Sequence, residues 1–127
     1  MKQGDSIPDL KVTPDADLTK RYAAASGDPN PIHTDEEFAR NVGLPGCILH
    51  GLYSMAQVAR AATQAAGVDP RSLKRLSVQF RGMGFPEQEI TVSGTVVEEG
   101  DGSVIVDTVA EQNGNAIIRN AQAEIEA

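Results

Sequence analysis

The sequence predicts an α+β domain in which one long helix precedes an antiparallel β-meander. Three observations carry this. Residues 51–67, GLYSMAQVARAATQAAG, are rich in Ala and hold no interior Gly or Pro, the composition of a strong helix former. From residue 73 onward the period changes: LKRLSVQFRGM, EITVSGTVVEE, SVIVDTVAEQ and AIIRNAQAEIEA are β-branched and largely alternate. Between the last three segments lie Glu99-Gly100-Asp101-Gly102 and Asn113-Gly114-Asn115, which have the composition of hairpin turns. A sheet so connected is free to curl around the helix.

The first half reads as helices separated by breakers. Thr13-Pro14-Asp15 makes a helix start, with Pro in the first turn and acids near the positive end of the dipole. A helix from about Asp15 to Ala25 places Leu18, Tyr22 and Ala25 on one face. SGDPNPIH ends it. A short helix from about Asp35 to Val42 is expected to bury Phe38 and Val42 and to stop at Gly43. On the long helix, Leu52, Met55, Ala56, Ala59, Ala62 and Ala66 form the expected core stripe, small enough for the backbone to approach a sheet closely.

Composition bounds the function. The 127 residues suit one domain, 1–127. Aromatics are 4% and Trp is absent, so the core is aliphatic and lean, and pairing with a second chain would help it. The net charge of −7, with no basic cluster to offset it, argues against nucleic acid or an anionic membrane as the main partner. An anionic ligand held by a few local Arg or Lys stays open. Cys47 is the single cysteine, so neither an internal disulfide nor a multi-cysteine zinc site is available. MKQGDSIPDLKV lacks the apolar run of a signal peptide, and no segment approaches membrane-spanning length, so a cytoplasmic protein is expected.

Two stretches hold the chemistry. In SGDPNPIHTD, residues 26–35, the prolines at 29 and 31 restrict the backbone between Asp28 and His33. A carboxylate and an imidazole held together can grip one water and move its protons. The plainer reading is a turn, with Asp28 and His33 as capping residues. In Leu49-His50-Gly51, a glycine opens the long helix, where free N–H groups and the dipole favour developing negative charge. Gly51 also has a plain reading, tight passage into a helix. A Cys47–His50 nucleophile pair is disfavoured by the apolar Ile48-Leu49 between them. A metal site from Asp28, His33, Asp35 and His50 lacks any HxH or HxxxH spacing.

Taken in order, Tyr22, SGDPNPIHTD at 26–35, Ala39-Arg40-Asn41-Val42-Gly43 and ILHGL at 48–52 resemble the MaoC-like hydratases, which include the (R)-specific enoyl-CoA hydratases and related 3-hydroxyacyl-thioester dehydratases. The resemblance implies a hot-dog fold, an antiparallel sheet wrapped around a central helix, normally paired into a dimer. It places the catalytic pair on Asp28 and His33 and the oxyanion donor on the Gly51 N–H. Asn30 takes the motif's Asn position beside the substrate, where shaping the loop is its better role, and Asp35 falls at a helix-capping position. No metal or other cofactor is implied.

The chain departs from the family pattern after the long helix. Phe80-Arg81-Gly82-Met83-Gly84-Phe85-Pro86-Glu87-Gln88 lacks the Pro-Val and Gly-Asp elements usual there, and Ala occupies positions 56 and 59, where relatives often carry Ser. Arg81, with Lys74 and Arg75, is a candidate for phosphate contacts, against ordinary surface charge as the plain reading. The implied reaction is hydration of a trans-2-enoyl thioester to the (R)-3-hydroxyacyl thioester, or the reverse, on an acyl-CoA or acyl-carrier-protein substrate and in a homodimer. A carrier-protein dehydratase subunit of a heterodimer and a non-catalytic hot-dog binding subunit are the alternatives. A thioesterase fits less well, because residues 52–66 contain no Asp or Glu.

Overall fold

The structure is a computed structural model describing residues 1–126. Its sheet has five strands in the order β1-β3-β4-β5-β2, every neighbouring pair antiparallel. These are β1 (Leu10–Val12), β2 (Leu73–Phe80), β3 (Ile90–Glu99), β4 (Ser103–Gln112) and β5 (Asn115–Glu126). The helices are α1 (Leu18–Ser26), α2 (Glu36–Asn41) and α3 (Gly51–Ala65). The turns at 100–102 and 113–114 join β3 to β4 and β4 to β5, as their composition predicts. This is the hot-dog arrangement.

Period-two alternation decides which face of the sheet meets α3. Ile90, Val92 and Val96 of β3, Val104, Val106 and Ala110 of β4, and Ile118, Ala121, Ala123 and Ile125 of β5 are all buried. They close on Val58, Ala61 and Ala62 of α3 in one cluster. Each fully buried Val or Ile contributes about 1.5–3 kcal/mol by leaving water. Register shifts interrupt the β4–β5 ladder after Thr108, and Asn120 lies in the left-handed region at φ 49°. Such bulges bend strands and increase twist, which lets the sheet wrap α3.

Several expectations fail in detail. The buried face of α3 is Ser54, Gln57, Val58, Ala61 and Ala62, so the expected stripe is rotated: Leu52 is 63% exposed and Ala56 faces outward. Hydropathy misplaced the face because two polar residues lie inside. Phe38 and Val42 are 40% and 55% exposed, and the buried residue of α2 is Ala39. β1 was not anticipated. Its three residues pair with Ile90–Val92, too short a run to show alternation. α1 begins at Leu18 rather than Asp15, and Asp15 instead accepts from the Asp17 N–H and pairs with Arg21 at 2.9 Å.

Candidate active site

The site lies where α1 ends and α3 begins. Gly27 closes α1 at φ 74°, a left-handed conformation that costs glycine little and redirects the chain. Asp28 follows, and its Oδ1 accepts from the Asn30 N–H at 3.2 Å. Asn30 Oδ1 accepts in turn from the Ile32 N–H at 3.2 Å, starting a 3₁₀ turn over Pro31–His33. Both are Asx turns, in which short polar side chains satisfy local donors while the two prolines restrict φ. Asn30 therefore spends its carbonyl oxygen on the loop. Asp35 caps α2 through the Phe38 N–H at 3.0 Å.

This loop is tied to the strand-like segment before α3. The Ile48 N–H donates to the Ile32 carbonyl at 3.1 Å, and His33 Nδ1 lies 2.8 Å from the Ile48 carbonyl. A carbonyl only accepts, so His33 carries its proton on Nδ1 and, when neutral, leaves Nε2 with a free lone pair. His33 is buried, and its ring stacks on that of His50, 3.7 Å between centroids and 20° from parallel. The other side of His50 meets Tyr22 of α1 at 4.7 Å.

His50 Nε2 lies 4.0 Å from Asp28 Oδ2, and Asp28, His33 and His50 each bring a donor atom within 4.8 Å of the others. The His50–Asp28 contact is not an ion pair. Burial, reinforced by neighbouring His33, holds the His50 imidazole below its ordinary range against the opposing pull of Asp28, so the ring is neutral at pH 7. Leaving a buried polar atom unpaired costs about 1–3 kcal/mol, and both His50 nitrogens are unpaired. The trio has the composition of a metal site, but its geometry argues against one. A ligating ring must point an in-plane lone pair at the ion, and two planes inclined by 20° at this separation converge far beyond a ligand distance.

Gly51 is the first residue of α3, directly after His50. A cavity of about 190 Å³ opens beside it, lined by His33, Leu49, Ser54, Phe80 and Met83 among others. A Cβ at Gly51 would lie 3.2 Å from the Phe80 ring, close enough that the half-exposed ring would have to shift by a few tenths of an ångström. The first N–H groups of a helix have no partner within it, so this end supplies oriented donors in a mostly apolar cavity. A thioester carbonyl placed there would meet an N–H, with a carboxylate and an imidazole nearby.

The remaining candidates lie elsewhere. Arg81 is exposed, its guanidinium bonded to Gln79 Oε1 at 2.7 Å, and it does not line the cavity. Lys74 pairs with Glu126 at 2.7 Å, while Arg75 lines a separate groove with Ser77 and Gln122. No basic group gathers at the cavity mouth from these three. Cys47 is buried, and burial followed by the nearby Glu36 charge pushes its thiol up, which removes it as a nucleophile.

The sequence profile described as MaoC like domain matches residues 2–116. This chain belongs to the MaoC-like domain family. Over 111 residues, 85% of the chain, it is 37% identical to the fatty acid synthase beta subunit hexB of Dothistroma septosporum, covering 6% of that protein. It is 31% identical over 119 residues, 90% of the chain, to the enoyl-CoA hydratase ChsH3 of Mycobacterium tuberculosis, covering 40% of it. Among solved structures, a MaoC-like dehydratase superposes with a TM-score of 0.93 at 28% identity, over 99% of this chain and 40% of that one. The chain thus spans a small part of the first of these relatives and under half of the others.

Within this MaoC-like site, sequence reasoning missed Ser54, Phe80 and Met83 as cavity-lining residues. Ser54 is buried one turn beyond Gly51 and so faces the same space. Its spacing of three from Gly51 is the available signal, which Ala56 and Ala59 do not share. Phe80 and Met83 come from the end of β2 and the loop after it, brought in by tertiary structure.

Proposed function

We propose that this MaoC-like domain, residues 1–127, hydrates trans-2-enoyl thioesters to (R)-3-hydroxyacyl thioesters and catalyses the reverse dehydration. The observation that carries the reading is that Asp28 and His33 bring donor atoms within 4.8 Å of each other, while His33 and Gly51, the first residue of α3, line one cavity. The thioester carbonyl accepts a hydrogen bond from the Gly51 N–H, which stabilises the enolate as it develops. One water sits between the Asp28 carboxylate and His33 Nε2, the nitrogen left free by the bond to Ile48. As its oxygen bonds to C3, the water's proton passes to this pair, and the pair returns a proton to C2 on the same face. The carbon–carbon double bond is consumed, one C–O and one C–H bond form, and nothing is oxidised. Asn30 acts as a substrate-side residue by fixing the loop.

The protein acts as a homodimer in the cytoplasm. Among the described residues β2 pairs only with β5, leaving its outer edge open, and Leu52, Phe80 and Met83 are exposed around the cavity. An open edge with apolar neighbours favours association with a second copy. The resemblance to a fatty acid synthase subunit supports a second reading, dehydration of carrier-protein-bound 3-hydroxyacyl chains. The test is loss of enoyl absorbance when the purified protein meets trans-2-enoyl-CoA substrates of increasing chain length, with chiral analysis of the product. The proposal expects hydration to the (R) alcohol and a dimer by light scattering. Activity only on carrier-protein esters selects the second reading, and no activity on either class overturns both.

A further inference from the structure

His50 is the side chain at this site whose role the proposed chemistry does not use. Among the described residues, its Nδ1 and Nε2 are the buried side-chain nitrogens with no hydrogen-bond partner. The residue is 3% exposed, so water does not satisfy them from the surface. Three titratable side chains face the ring, Tyr22 from α1 and Asp28 and His33 from the loop, while Tyr53 of α3 packs edge-on against Tyr22. His33 is unavailable as a partner through Nδ1, which is engaged with Ile48, and it meets His50 face to face rather than through ring nitrogens. Asp28 is the acceptor within reach, its Oδ2 standing 4.0 Å from Nε2 and its main-chain carbonyl also facing the ring. That separation is longer than a hydrogen bond.

We propose that His50 is a positioning residue whose Nε2–H donates to the Asp28 carboxylate in solution, a small rotation of that half-exposed side chain closing the 4.0 Å gap, and so aims the carboxylate at the water it shares with His33. This rests on the hydratase reading for its kinetic consequences. Being neutral, His50 donates one proton without transferring it, so it orients Asp28 and does not compete as an acid. Its flat contact with His33 fixes the second imidazole at the same time. One ring thus sets the geometry of both members of the pair. The apolar alternative, a ring that merely fills space between Tyr22 and His33, is what the test must exclude.

The experiment compares wild type, His50→Phe and His50→Gln in enoyl-CoA hydration across pH. Losing a hydrogen bond to a charged group predicts that His50→Phe lowers kcat about 10- to 100-fold with KM little changed. It also moves the acidic limb of the kcat/KM profile to higher pH, because a carboxylate deprived of a donor holds its proton more tightly. His50→Gln, which retains an N–H, recovers part of the rate and returns the limb toward wild type. A His50→Phe enzyme with wild-type kcat and an unmoved limb overturns the proposal, as does one whose loss His50→Gln fails to relieve.

If wild type hydrates no enoyl thioester, the hydratase reading fails, and imidazole ¹⁵N NMR of the wild-type protein still decides the hydrogen-bond claim. The proposal predicts a neutral His50 protonated on Nε2, with its resonance displaced in Asp28→Asn. An Nδ1–H tautomer, or a resonance indifferent to Asp28→Asn, rejects it. The same measurement settles the matter if His50→Phe does not fold.

Discussion

The two halves of α3 bury opposite chemistry. Beyond Val58, the helix presents Ala61 and Ala62 to valines and isoleucines of the sheet, with no polar side chain to satisfy. Before it, the helix and its cap bury His50, Ser54 and Gln57. Gln57 is satisfied locally, donating to the Tyr53 carbonyl at 3.3 Å and accepting from Arg60 at 2.8 Å, whereas His50 is not. The aliphatic half holds the domain together, and the polar half sacrifices stability to keep functional groups dry and close. Damage to either half should therefore separate cleanly into loss of activity or loss of stability.

The sharpest separation is expected at the pair itself. Asp28→Asn and His33→Ala should each lower hydration of crotonyl-CoA by about 10²- to 10⁴-fold, the worth of an acid–base group, while circular dichroism stays native. A comparable effect should follow removal of the donor at the start of α3. Gly51→Pro deletes the N–H at a helix position that tolerates proline, and His50 already has the extended ψ of 137° that a residue before proline requires. Turnover should fall about 10²- to 10³-fold. Gly51→Ala keeps the N–H but places a Cβ against Phe80, so it reports crowding alone. If Gly51→Ala loses as much rate as Gly51→Pro, sterics rather than the oxyanion donor explain the position.

Smaller effects probe the other half. Ile118→Val removes one methylene from the fully buried cluster and should cost about 0.5–1.5 kcal/mol in denaturant melts, with kcat of the folded enzyme unchanged. Acid should act on the polar half instead. The folded state holds His50 below its ordinary pKa, so the unfolded chain binds the extra proton first as pH falls. The neutral ring's contribution is fully present above about pH 6.5 and is lost as pH drops from there toward the lower folded value. Melting temperatures of wild type should fall more steeply below pH 6.5 than those of His50→Gln. Parallel slopes for the two proteins would mean that His50 is not held neutral by burial. Phe38→Ser, at an exposed site, should change stability by at most about 0.5 kcal/mol.

What could be read from the sequence follows the range of the physics involved. The long helix, the change to β-alternation, and the two Gly-containing hairpins are local signals, and each appears where its residues place it. The Asp28–His33 loop was visible because Gly, Pro and Asx chemistry act over a few residues. Which face of α3 turns inward was not, since alanines weigh little in any hydrophobic pattern and two polar residues, Ser54 and Gln57, are buried on it. The approach of His50 to Asp28 and the placing of Phe80 over Gly51 depend on chain crossings far apart in sequence. The ordered resemblance to the MaoC-like family supplied the link between SGDPNPIH and LHG that local reasoning lacked.

The central claim is that Asp28 and His33 act on one water as a unit. Groups that act as a unit are strongly non-additive, so kcat/KM of wild type, Asp28→Asn, His33→Ala and the double variant tests it directly. The account predicts that the double variant is about as slow as the slower single variant. Losses that multiply in the double variant, or a single variant with near-wild-type hydration, would contradict it.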